Sequence, residues 1–148
     1  MIVDSKLMRY VLFKKRTEKE VRQKCRILDY SEDYTDEIIE YLKEAEYIND
    51  KVYVQKYIQN VLKLKNCSIF EIKMDLLRRG IDEDEIEKYI DDELYEFEEK
   101  CAIALARKKY KATGEIDKVK RYLMSKGYSH SNVSKAIDNL GNMSDNDN

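Results

Sequence analysis

Clustered basic side chains are the groups in this sequence best suited to bind a charged partner. An arginine guanidinium can bind a carboxylate or a phosphate through two parallel hydrogen bonds, whereas a lysine ammonium acts as a point charge. Such clusters predict contact with an anionic partner rather than catalysis. The predicted partner-binding residues are Arg78, Arg79, Arg107, Lys108, Lys109, Lys120 and Arg121.

Patterns typical of an enzyme are missing from the sequence. It has no glycine-rich phosphate loop and no nucleophile–base spacing. Residues 82–93 partly match a calcium-binding loop but lack its turn glycine. His130 is the single histidine, and Cys25, Cys67 and Cys101 are spaced too widely for a disulfide framework or a metal knuckle. We expect a protein that is not an enzyme and has no catalytic residue, cofactor or metal.

The composition favours helices. The chain has 148 residues, of which 39% are charged, with no proline and four glycines. Few residues therefore interrupt a helix, and strongly amphipathic helices are expected. No stretch approaches the roughly 20 apolar residues of a membrane span, and no signal-peptide pattern is present. These features predict an all-α, cytoplasmic protein that does not enter a membrane.

Residues 68–90 have the pattern of two short helices separated by a turn. Ser68 with Glu71, and Asp82 with Glu85, match the capping box, in which a side chain at the helix start and another three residues later each bind a backbone N–H. A helix is therefore predicted to begin after Ser68 and another after Asp82. The apolar face of the first helix is predicted to be Ile69, Ile72, Leu76 and Leu77.

This helix–turn–helix pattern occurs three times. Its apolar and turn positions recur 51 residues earlier and 47 residues later, and Gly80 corresponds to Asp29 and to Gly127. A further amphipathic segment precedes each copy, which predicts nine helices in three tandem three-helix repeats, arranged as an elongated, solenoid-like monomer. The predicted units are residues 1–48, 49–92 and 93–140, followed by a polar, disordered tail, residues 141–148.

Charge alternates with the repeat. The segments holding the first two helices of each unit, residues 5–30, 51–80 and 100–127, carry net charges of +6, +5 and +7. The intervening segments, residues 31–50 and 81–99, carry −7 and −10. Because equivalent helices of a stacked array point the same way, the basic segments are predicted to form one ridge that fits a long anionic partner.

The same helix–turn–helix pattern is also found in DNA-binding proteins, whose second helix enters the major groove. Here the helix after the turn is acidic and would face the phosphates of the duplex. A module that acts directly on DNA is therefore the alternative function. The acids of the central copy are Asp82, Glu83, Asp84, Glu85 and Glu87.

Four segments, residues 16–24, 47–58, 71–81 and 118–128, resemble successive motifs of the bacterial RecX family. The resemblance implies three tandem three-helix repeats, and it implies a regulator that binds along the groove of the RecA recombinase filament on single-stranded DNA. The implied effect is inhibition of strand exchange and of coprotease activity, in DNA recombination, DNA repair and the SOS response. Whether the single-stranded DNA is itself contacted stays open.

Overall fold

Nine α-helices make up the regular structure in the part of the chain that is described. The computed structural model describes residues 2–64 and 66–146. No β-strand occurs within these residues, and the all-α prediction is confirmed. The helices are α1 (Ser5–Phe13), α2 (Glu18–Ile27), α3 (Glu32–Glu44), α4 (Asp50–Leu64), α5 (Ile69–Arg78), α6 (Glu83–Glu87), α7 (Asp92–Thr113), α8 (Ile116–Ser125) and α9 (His130–Asn146).

Three separate apolar clusters hold these helices in consecutive groups of three. The long helix α7 is shared, because Leu94 in its first turn packs in the second cluster while Cys101 packs in the third. The predicted boundary between residues 92 and 93 therefore lies at the start of α7, whose first turn still packs in the apolar core of the second unit. Buried residues typical of the clusters, one from each helix in order, are Leu7, Cys25 and Leu42, then Val54, Leu76 and Ile86, then Ala106, Leu123 and Ala136.

The predicted helix starts are partly correct. Ser68 and Glu71 form the expected capping box at the start of α5, and Thr17 and Glu20 form another at the start of α2. The box predicted at Asp82 is wrong, since its side chain makes no hydrogen bond to α6. Asp82 is exposed, so water can solvate both its carboxylate and the first N–H groups of this five-residue helix.

The turn after the second helix has the same geometry in all three units. Asp29, Gly80 and Gly127 all have positive φ angles, of 62°, 90° and 85°. In each turn the next residue donates its backbone N–H to the carbonyl five residues back, at 3.0, 3.0 and 3.2 Å, which closes the helix with a Schellman-type bond. Asp29 therefore adopts the glycine-like conformation, which aspartate tolerates better than most side chains do.

The C-terminal segment differs from its prediction. α9 continues through Gly141 to Asn146, so most of the predicted disordered tail is helical. Once α9 has formed, each added residue extends an existing helix and avoids the cost of nucleation. Asp147 and Asn148, the rest of the predicted tail, lie outside the described residues.

The molecule is extended. Its accessible surface is 9866 Å² for a mass of 17.7 kDa, whereas a compact monomer of this mass exposes about 8,000 Å². The excess is expected for three small cores in a row. Among the described residues, no helix combines the length and the apolar character needed to cross a membrane.

Candidate partner-binding surface

The second helices of the three units, α2, α5 and α8, are joined end to end, and we call them the spine. The hydroxyl of Thr17 donates to the backbone carbonyl of Arg79 at 2.6 Å, and the hydroxyl of Ser68 donates to that of Lys126, also at 2.6 Å. Both hydroxyls are fully buried. At each junction the positive end of one helix dipole therefore faces the negative end of the next.

Each junction also contains a carboxylate from the first helix of the following unit. Asp50 accepts the backbone N–H of Glu18 at 3.0 Å, and Glu98 accepts that of Ile69 at 2.7 Å. These N–H groups begin α2 and α5 and have no partner within their own helices. Burial raises the pKa of Asp50, while the bond from Glu18 opposes that shift. The junctions are thus built from equivalent parts of the repeat.

Two turn glycines let the helices of the spine approach closely. A Cβ atom on Gly80 would overlap the side chain of Lys19, and one on Gly127 would overlap that of Phe70. Lys19 and Phe70 are equivalent positions, 51 residues apart. The two junctions therefore bring equivalent faces of the spine helices into the same relative position.

Of the two arginines predicted at the end of α5, Arg78 is the better placed for a partner. Its side chain is 76% exposed and lies 3.8 Å from the carboxylate of Asp75. Arg79 is instead used within the molecule, donating to the Tyr53 hydroxyl at 2.8 Å and lying 3.9 Å from the Glu20 carboxylate. Arg79 thus stabilises the first junction, a role that its sequence position next to Arg78 did not indicate.

Asp75 is the anionic centre of this end of α5. Burial alone would raise the pKa of Asp75, but the hydrogen bond from Tyr57 at 2.6 Å and the charges of Arg79 and Arg78 hold that pKa below its usual value. Burial and the same hydrogen bond raise the pKa of Tyr57. The carboxylate is therefore occupied, and Arg78 keeps most of its donors for solvent or for a partner.

This lowered pKa leads to a prediction about acid stability. Because the folded state favours ionised Asp75, the group stabilises the fold above its unfolded pKa of about 3.9, and this contribution is lost as pH falls through the lower folded pKa. Asp75→Asn should lower the free energy of unfolding by about 1 kcal/mol near pH 6.5 and by much less near pH 3. Urea unfolding at both pH values tests this, with exposed Asp84→Asn as the control. A pH-independent difference would contradict it.

The basic residues predicted on α7 point in two directions. Lys108 and Lys109 line a cavity of about 230 Å³ together with Tyr122 of α8, and the Lys109 ammonium lies 4.7 Å from the centre of that ring. Arg107 instead donates to the side chain of Asn139 on α9 at 3.0 Å. Arg107 therefore lies on the α9 side of α7, away from the lysines.

Lys120 and Arg121 are both exposed on α8, the third helix of the spine. With Arg78 they place exposed positive charge on its second and third helices. Five of the seven predicted residues, Arg78, Lys108, Lys109, Lys120 and Arg121, thus lie on α5, α7 and α8 without a hydrogen bond to the core in the described part of the chain, whereas Arg79 and Arg107 bind other side chains of the molecule. Among the described residues, no group of three or more His, Cys, Asp or Glu side chains is placed to hold a metal ion.

Exposed apolar residues on α5 were missed by sequence reasoning. Phe70, Met74 and Leu77 are 54%, 45% and 38% exposed, although the apolar spacing predicts that Leu77 lies on the buried face. The core of this short helix needs only Ile69, Ile72 and Leu76. The available signal was the spacing, since positions 70, 74 and 77 form a second apolar row on the helix.

Similar proteins are known among bacterial regulatory proteins. Regulatory protein RecX from Clostridium beijerinckii is 38% identical over 134 residues, covering 82% of this chain and 60% of that protein. Regulatory protein RecX from Clostridium perfringens strain 13 is 34% identical over 135 residues, covering 86% and 63%. The chain thus spans about three fifths of the length of these curated relatives. No family model matches it.

Solved structures share the arrangement of helices. The crystal structure of RecX from Lactobacillus salivarius superposes with a TM-score of 0.81 at 29% identity, covering 92% of each chain. A second crystal structure, of a regulatory protein RecX, gives a TM-score of 0.82 at 24% identity and covers 90% of this chain and 70% of the other. The second likeness shows the fold alone.

Proposed function

Because the chain belongs to the RecX family of regulatory proteins, we propose that it binds the RecA recombinase filament on single-stranded DNA. Binding inhibits the recombination and coprotease activities of the filament, in the cytoplasm, during DNA repair, DNA recombination and the SOS response. The protein acts as a monomer and as a regulator rather than as an enzyme. Single-stranded DNA inside the filament is a further contact in this proposal.

The observation that best supports this proposal is the end-to-end spine. Equivalent junctions at Thr17 and Ser68 align the helices that carry Arg78, Lys120 and Arg121. A filament presents equivalent sites at regular intervals, so an elongated array with recurring positive charge can contact several of them at once. Each exposed charge contributes little alone, and their number sets the strength and rate of association.

Direct DNA binding by the helices after the turns is the competing function. The helix of the central unit, α6, has Glu83 and Asp84 exposed to solvent, and these carboxylates would meet the phosphates of a duplex groove. The positive surface lies on the spine instead. We therefore place any contact with DNA on the spine and within the filament complex.

Binding measured with and without the filament tests the proposal. The chain is mixed with single-stranded DNA, with duplex DNA, and with RecA filaments on single-stranded DNA at about 150 mM salt, and co-sedimentation is followed with strand exchange. The expected result is binding and inhibition only where the filament is present. Tight, strongly salt-dependent binding to naked DNA would support the DNA-binding module instead.

Reversing charge on the spine should weaken filament binding. The triple variant Arg78→Glu, Lys120→Glu and Arg121→Glu removes three exposed positive charges and adds three negative ones, so we expect affinity to fall about tenfold, mainly through slower association. Arg79 is left unchanged because it stabilises the first junction. Co-sedimentation and stopped-flow association at two salt concentrations measure the effect.

The matched control reverses charge on the acidic helix α6 of the second unit. Glu83→Lys with Asp84→Lys suits this purpose, since both residues are exposed on α6, whereas Glu87 is bound by Lys73 at 2.8 Å. This control should keep filament binding and inhibition. If the control loses inhibition while the spine variant keeps it, the contact surface has been placed on the wrong face.

A further inference from the structure

The central helix of the spine, α5, carries a row of exposed apolar side chains that are not part of its core. Phe70, Met74 and Leu77 are four and three residues apart on α5, so they lie on one face of the helix and span about 10 Å along its axis. Each exposes more than a third of its surface. We call these three residues the α5 row.

A groove runs beside the α5 row. Its volume is about 630 Å³, and its lining includes Tyr57, Phe70, Met74 and Arg78. A groove of this volume can hold an apolar side chain of a partner. Phe70, Met74 and Arg78 follow one another at four-residue spacing along α5, so this helix offers the groove both apolar contact and an exposed guanidinium.

The two carboxylates that also line the groove are already used inside the molecule. Glu71 accepts the backbone N–H of Ser68 at 3.1 Å, and Asp75 accepts the hydroxyl of Tyr57 at 2.6 Å and lies 3.4 Å from Nε of Arg79. The charge of Asp75 is therefore balanced by the neighbouring arginines, and the Glu71 carboxylate is held at the start of α5. The charge offered to an incoming group is that of Arg78.

An exposed lysine lies beside each end of α5. Lys19 contacts Gly80 at the C-terminal end of α5, and Lys126 accepts a hydrogen bond through its carbonyl at the N-terminal end. Both lysines are exposed. An apolar centre with a positive border complements an apolar stripe flanked by carboxylates, and it is a poor match for a surface that is anionic throughout.

We propose that the α5 row binds an acidic amphipathic helix of the protein partner, with apolar residues entering the groove and carboxylates meeting Arg78, Lys19 and Lys126. This inference rests on the proposed function, in which the partner is a protein filament. A row spaced four and three residues apart matches the apolar stripe of another helix. Buried apolar contacts near the centre of an interface supply most of its affinity, and the border charges supply orientation.

Paired substitutions in the α5 row test this. Met74→Lys with Leu77→Lys removes the apolar contact but keeps the charge attractive, so affinity for RecA filaments on single-stranded DNA should fall about tenfold. Met74→Glu with Leu77→Glu adds repulsion, and affinity should fall about 100-fold. Phe70 stays unchanged because it packs against Gly127. Tyr95→Glu, at a 51% exposed aromatic on α7, is the control and should bind within twofold of the parent chain.

The outcomes separate this inference from the proposed function. If the parent chain binds filaments and both double variants bind equally well, the α5 row is not a contact and the proposed function survives. If the parent chain does not bind filaments at all, both proposals fail. A glutamate variant that binds as well as the lysine variant would overturn the acidic character of the partner.

A photo-crosslinker identifies what covers the row. With benzoylphenylalanine in place of Met74, irradiation of the filament complex should yield a crosslink to a helical filament segment rich in Asp or Glu. A product removed by nuclease treatment would show DNA on the row, and a crosslinked dimer of this chain would show a second copy. Either of these two products would overturn the proposal.

Discussion

Replacing Glu98 by glutamine is expected to lower the free energy of unfolding by about 3 kcal/mol. Glu98 is 2% exposed, and its carboxylate accepts three hydrogen bonds, from the N–H of Ile69 at 2.7 Å, the N–H of Ser129 at 3.2 Å and the side chain of Asn132 at 2.9 Å. These donors lie at the starts of α5 and α9. The group therefore joins the second unit to the third.

Glutamine cannot replace this carboxylate because one of its two terminal groups is a donor. If its oxygen faces Ser129 and Asn132, its NH₂ group faces the N–H of Ile69, and a buried donor is left without an acceptor. A buried unsatisfied donor costs about 1–3 kcal/mol, and the bonds that remain lose their charge. Urea unfolding, monitored by circular dichroism, measures the total loss in the free energy of unfolding.

The matched control is the neighbouring residue. Glu99 pairs with Lys135 at 3.5 Å and is 37% exposed, so Glu99→Gln should change the free energy of unfolding by less than about 0.5 kcal/mol. A Glu98→Gln variant that is as stable as the Glu99→Gln variant would show that Glu98 is not needed to join the units.

Placing alanine at either junction glycine should cost about 3 kcal/mol. Gly80 and Gly127 have φ angles of 90° and 85°, and a side chain costs roughly 1–2 kcal/mol in a left-handed conformation. The new methyl would also overlap Lys19 or Phe70 of the preceding unit, which adds about 1–3 kcal/mol of overpacking. Thermal and urea unfolding of Gly80→Ala and Gly127→Ala measure the loss.

Gly114 separates the two contributions. Its φ angle is 66°, but no atom lies within 4 Å of the position that a Cβ would occupy. Gly114→Ala should therefore show only the conformational cost, about 1 kcal/mol. Equal losses at Gly80, Gly127 and Gly114 would mean that close approach at the junctions contributes nothing.

The sequence predicts the fold well because the relevant information is local. Apolar spacing and turn residues recur at two offsets, and a capping box needs only Ser68 and the residue three positions later. The same locality explains the errors. Asp82 and Glu85 have the spacing of a capping box, but the Asp82 side chain makes no hydrogen bond to the helix. The spacing alone does not show whether such a side chain binds the helix or stays in solvent.

The candidate surface is less predictable because its contacts join distant parts of the chain. The partner of the Ser68 hydroxyl lies 58 residues away, and that of the Glu98 carboxylate at Ile69 lies 29 residues away. Glu98 sits among other acids and so looks exposed in the sequence. Only its position in the helix indicates that it is buried, since it lies on the buried face of α7 between Leu94 and Cys101.

The difference in burial between the two junctions has a mechanical consequence. At the first, Asp50 is only half-buried, so water can replace its bond to Glu18 as the units tilt, and the resistance to tilting is small. At the second, Glu98 is enclosed and holds three donors, so tilting would leave buried groups unpaired. We therefore expect bending of the rod to occur more readily between the first and second units than between the second and third.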